Sequence, residues 1–190
     1  MARHAPIFHE RARAAGINLR ADVALPWLTR NGHVDPVVNE RIPSETRDAL
    51  DQILDALDGD VASLAAKTRG SSRVDFILEP GGVVVEYDEV QHFTSARLKT
   101  LALYPTEAPL GFDHAGYTAL VRRWASHGDR GFAHKAAAEF PGPAGRQRQR
   151  AYLDALRDLV APHFGNGPLI RVPCPDNDYD AAVARLRCAL

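Results

Sequence analysis

The chain has 190 residues, 45% hydrophobic and 25% charged, with 23 basic against 24 acidic side chains. That composition excludes a collagen, a disordered tail and a disulfide scaffold, and a net charge of −1 excludes a protein that coats nucleic acid by bulk electrostatics. The length suits one domain with its own core, and apolar runs of only a few residues leave no membrane-spanning helix.

Residues 3–15 predict a short helix that ends at Gly16. The stretch 17–43, with Pro26, Asn31-Gly32, Pro36 and Pro43, reads as irregular or short extended structure. Ser44 is a plausible N-cap, and Leu50, Ile53, Leu54 and Leu57 then fall on one helical face. A weaker helix follows over 61–67. Two β-rich runs, Arg73–Glu79 and Val83–Asp88, flank Pro80-Gly81-Gly82 and signal a hairpin. Further helices are expected from Thr94 or Ser95 to about Leu103, over 115–126 with Tyr117, Leu120, Val121 and Trp124 inward, and in a short Ala-rich piece near 133–140. A helix over 146–161 turns Tyr152, Leu153, Leu156, Leu159 and Val160 inward. Leu169–Val172 is a short strand, and 179–189 a last helix. The order predicts an α/β domain with a mixed central sheet flanked by helices. Residues 1–43 read as an N-terminal extension packed on the core, and 44–190 as a single domain with an insertion at about 105–145.

Alternation along the second hairpin strand puts Val84, Glu86 and Asp88 on one face. Two carboxylates on an apolar strand need partners, because a buried charge is costly. Asp75 joins them if the turn has two residues (opposite Asp88) or four (opposite Glu86). A three-residue turn sends it to the Tyr87 face. Opposed carboxylates repel unless a proton or a divalent cation lies between them.

RVDF (73–76), a turn, then VVVEYDEVQHF (83–93) resembles the core of the PD-(D/E)XK, or restriction-endonuclease-like, nuclease superfamily, nearest its very-short-patch-repair endonuclease-like branch. The resemblance covers about 73–104, with a looser match in topology from 150 onward. It implies a restriction-endonuclease-like core in which Asp75 and Glu86 match the metal ligands and Asp88 occupies the site of the usual Lys. Gln91 and His92 match polar residues that open the following helix and reach back to the site. No Lys follows Glu86, and Glu89 stands where related proteins usually have Gly.

The implied activity is a Mg²⁺- or Mn²⁺-dependent endonuclease that hydrolyses DNA, in repair, restriction or anti-phage defence. Asp75, Glu86 and Asp88 are the expected metal set, with Asp88 alternatively orienting the nucleophilic water. His92 is the expected general base or proton donor. The alternative is a nuclease-fold module without activity, serving in nucleic-acid binding or assembly. A homodimer or a partner protein is expected to supply targeting.

Residues 1–95 carry 10 Lys+Arg against 15 Asp+Glu, and residues 96–190 carry 13 against 9. A basic surface can therefore sit beside an acidic site. The candidate phosphate contacts are Arg73, Arg97, Lys99, Arg122, Arg123, Arg146 and Arg150. Arg150 with Asp154 reads as an ordinary i, i+4 helix pair. Cys174 and Cys188 lack metal spacing, and the start of the chain lacks a signal-peptide apolar region. Reduced thiols in a cytoplasmic protein are expected.

Overall fold

A computed structural model describes residues 4–131 and 135–190. Four strands form one mixed sheet in the order β1 (Leu19–Thr29), β2 (Ser71–Leu78), β3 (Val83–Asp88), β4 (Ile170–Pro173). The first three pair antiparallel, and β4 joins β3 in parallel. The helices are α1 (Ala5–Ala14), α2 (Pro36–Arg41), α3 (Ser44–Ala56), α4 (Val61–Ala65), α5 (Ser95–Leu101), α6 (His114–Gly128), α7 (Gly145–Val160) and α8 (Tyr179–Ala189). Among the described residues no helix is long and apolar enough to cross a membrane.

Strand alternation divides the core. Val84 and Ile77 meet α3 and α7 through Leu50, Ile53, Tyr152 and Leu156. Phe76, Val85 and Tyr87 meet α1 and α8 through Phe8, Ala12, Val183 and Leu186. A smaller cluster joins α5 to α6 through Phe93, Leu101, Tyr117 and Val121. Thr94 caps α5 by accepting the Arg97 N–H at 3.1 Å.

Two stretches differ from their sequence reading. Residues 17–43, read as irregular, contain the eleven-residue strand β1 and the helix α2. Pro26 hides the strand, because a missing N–H argues against a sheet interior. It is tolerated here on an edge strand, within a register irregularity between Ala24 and Thr29. Leu25, Trp27 and Leu28 then enter the core, so the N-terminal stretch supplies part of the sheet itself. Of the helix expected near 133–140, residues 133–134 lie outside the described residues. The rest is irregular, with a β-bridge between Ala137 and Phe140.

Candidate active site

The hairpin turn spans the four residues 79–82, and the ladder pairs Leu78 with Val83, Ile77 with Val84 and Phe76 with Val85. One step further along this register Asp75 stands opposite Glu86. Here side chains replace the backbone ladder. The Asp75 N–H donates to Glu86 Oε1 at 3.2 Å, and the Tyr87 N–H donates to Asp75 Oδ2 at 3.1 Å. Asp75, Glu86 and Asp88 share the face that looks toward α7, as the four-residue turn requires. Glu86 is only 3% exposed. Burial pushes its carboxyl up to about 8, and Asp75 adds to the rise while Arg157 opposes it. Burial also raises Asp75, against the nearby His92 and the Tyr87 N–H. The acidic pair is therefore under-compensated by its surroundings.

Deeper in the same face lies a closed cluster of charges. Parallel pairing places Arg171 of β4 beside Glu86. Arg171 donates to Asp88 Oδ1 at 2.7 Å, to Asp158 Oδ1 at 2.8 Å and to the Asp154 carbonyl at 3.1 Å. Arg97 of α5 donates to Asp158 Oδ2 at 2.6 Å and to Tyr104 Oη at 2.7 Å. Tyr104 also donates to Asp158, and Tyr117 of α6 donates to Asp88 Oδ2 at 2.8 Å. Asp154 and Asp158 sit one turn apart on α7, so both face the sheet. Burial disfavours charge here, yet Asp158 and Asp88 hold Arg171 protonated well above the ordinary arginine range. Asp154 is held well below the usual carboxylate range, because His92 and Arg171 outweigh its burial.

Asp88, expected as a metal ligand or water-orienting group, is enclosed, and both of its oxygens are engaged by Arg171 and Tyr117. His92 is also tied into this region. Its Nδ1 lies 2.9 Å from Asp154 Oδ2 and 3.4 Å from Asp88 Oδ1. Both neighbours are acceptors, which assigns the proton to Nδ1 and leaves Nε2 as the ring's second functional atom. Burial would lower the His92 pKa, but Asp154 and then Asp88 raise it above its ordinary value. Gln91, expected to reach the site, instead donates to Glu89 Oε2 at 2.8 Å. The other Glu89 oxygen accepts the His4 N–H at 2.8 Å, so Glu89 fastens the start of α1 to the end of the sheet.

The expected basic contacts separate into groups. Arg97 is wholly buried in the closed cluster, which removes it from any phosphate surface. Lys99, Arg122 and Arg123 are exposed. Arg73 is exposed and pairs with Asp22 at 2.9 Å. Arg146 is half-buried and bonds Gln149. Arg150 is half-buried close to Asp154, Arg157 and Glu89, with its pKa lowered chiefly by burial.

Sequence reasoning missed Asp154, Asp158, Arg157, Arg171, Tyr104 and Tyr117 as polar members of the site. The available signals were an Arg inside a four-residue apolar strand, and two Asp on the stripe that begins at Ala151 on α7. Both would have been unpaired buried charges without each other.

Among the described residues no group of three or more His, Cys, Asp or Glu is arranged to hold a metal ion. Mg²⁺, however, commonly keeps several waters and takes only one or two carboxylates together with substrate phosphates. Asp75 and Glu86 fit that smaller donor set, and Asp88 does not. A cavity of about 620 Å³ between α6, β4 and α8 touches Tyr117 and Arg171 but not the acidic pair. No protein-family model matches the chain, and no curated protein or solved structure matches it significantly.

Proposed function

We propose that this chain is a Mg²⁺- or Mn²⁺-dependent endonuclease that hydrolyses DNA phosphodiester bonds, acting in the cytoplasm in repair, restriction or defence. The observation that carries this reading is the opposed Asp75–Glu86 pair, whose Glu86 carboxyl is pushed up to about 8, beside a His92–Asp154 dyad at 2.9 Å. Asp75 and Glu86 would hold the ion, which would supply Lewis acidity toward water and charge neutralisation at the attacked phosphate. Two hydrogen bonds fix the carboxylates: Asp75 N–H to Glu86 and Tyr87 N–H to Asp75. His92, whose pKa is raised by Asp154 and Asp88 against the effect of burial, serves as proton donor to the leaving oxygen. Asp154 orients the imidazole through Nδ1.

The test is incubation of purified protein with plasmid and single-stranded DNA, with and without Mg²⁺ or Mn²⁺. Cleavage is expected only with the ion, to vanish in Asp75→Ala and Glu86→Ala, and to fall ~10²–10⁴-fold in His92→Ala. Undiminished cleavage by both carboxylate variants would overturn the assignment.

The engagement of Asp88 by Arg171 and Tyr117 favours a second reading, an inactive nuclease-fold module that binds nucleic acid or assembles with a partner. Calorimetric titration with Mn²⁺ separates the two, because a module without activity has no need of a divalent site at Asp75 and Glu86.

A further inference from the structure

Three arginines converge on the acidic face, and they are held in different ways. Arg97 and Arg171 are fully enclosed, with carboxylate contacts of 2.6–2.8 Å. Arg157 of α7 makes only long contacts: 3.5 Å to Glu86, 3.5 Å to Asp154 and 3.4 Å to the Arg73 carbonyl. Its side chain is 14% exposed, and its Nε has no hydrogen-bond partner. The Arg97 Nε is unpaired too, but no ligand reaches a side chain with 0% exposure.

The carboxylates show the same contrast. Asp88 and Asp158 are held at short range by Arg97 and Arg171, and Asp154 lies against His92. Were a divalent ion to sit on Asp75 and Glu86, Arg157 would lose Glu86 as a partner and keep only its 3.5 Å contact to Asp154. A phosphodiester supplies one negative charge with two oxygens for a planar fork. We propose that Arg157 binds a phosphate of the nucleic-acid substrate, swinging from its long contacts at the rim of the acidic pair. This rests on the nuclease reading and adds to it the side chain that grips the strand.

The experiment is fluorescence-anisotropy binding of a labelled, cleavage-resistant, single-stranded phosphorothioate oligonucleotide in Mg²⁺, across a NaCl series, so that the ion stays in place and cleavage stays out of the readout. Arg157→Gln is expected to weaken binding roughly tenfold and to reduce the slope of log K against log salt by about 0.7, one phosphate on a single strand. Arg157→Lys keeps the charge and should keep the slope. Arg13→Gln, on α1 across the sheet, should leave both unchanged.

An Arg157→Gln slope equal to wild type overturns the inference while the nuclease reading stands. So does loss of cleavage with binding intact, which would make Arg157 a positioning residue for Glu86. If the wild-type chain neither binds nor cuts nucleic acid, both readings fall together.

Discussion

The closed cluster around Arg171 and the open edge at Asp75 and Glu86 share one face of one sheet, yet they are built on opposite terms. In the cluster every carboxylate oxygen of Asp88 and Asp158 has a cation or hydroxyl within 2.9 Å. At the edge, Glu86 has backbone N–H donation at 3.2 Å and a cation no nearer than 3.5 Å. Glu86, 3% exposed, is nearly as buried as Asp88 and Asp158, so for these carboxyls the difference lies in compensation. Compensated charges give rigidity, because each partner specifies the position of the next. Under-compensated carboxyls instead keep their protons to higher pH, as Glu86 does. The cluster holds β3, β4, α5, α6 and α7 in fixed relation, and the edge leaves Glu86 without a close countercharge.

The sharpest way to break this contrast is Arg171→Ala. It strips a wholly buried cation from Asp88 and Asp158, and should cost about 3–5 kcal/mol in a urea denaturation. A loss below 1 kcal/mol would place the cluster in a far more solvated setting than its geometry implies.

Next in size is Glu86→Gln. In the unfolded chain Glu86 loses its proton near 4.5, whereas in the folded chain it keeps it to about 8. The folded state therefore binds more protons across that window, and wild-type stability falls as pH rises through it. Gln cannot ionise. Without divalent ions the variant should match wild type near pH 4 and exceed it at pH 9 by on the order of a few kcal/mol. A pH-independent difference would mean that the edge is as fully compensated as the cluster.

The smallest effect belongs to the seam between the regions. Asp154 is the largest influence raising the His92 pKa. In Asp154→Asn, the imidazole pKa read by NMR titration should fall, because the largest raising influence is gone. No fall would detach His92 from the cluster.

The hairpin face was legible because strand alternation is a strict two-residue rule. Asp75, Glu86 and Asp88 followed from it, and only the turn length remained open. The helices on the Val84 side of the sheet were also legible, from the apolar stripes of α3 and α7. What stayed hidden depends on partners remote in sequence. Asp154 and Asp158 look like an ordinary solvated helix face until β4 brings Arg171 against them. Arg97 looks like a surface cation until Asp158 and Tyr104 close over it. Asp88, expected to complete the metal set or orient the nucleophilic water, has both oxygens engaged by Tyr117 and Arg171. Pro26 concealed β1 for a different reason: local propensity against a strand was outweighed by long-range burial of Leu25, Trp27 and Leu28.

The pairing of an early hairpin with a late helix and strand has a consequence for biosynthesis. Asp75, Glu86 and Asp88 come together by local hairpin closure, whereas Asp154, Asp158 and Arg171 enter only with α7 and β4. Because chains emerge from the ribosome N-terminus first, the nascent hairpin carries its carboxylates without countercharges and has no stable way to bury them. Asp88 can be interred, His92 oriented and Arg157 brought to the rim only once residue 171 has been made. The site therefore assembles late in synthesis, and a chain stopped before α7 carries the acidic hairpin but not the apparatus that would put it to use.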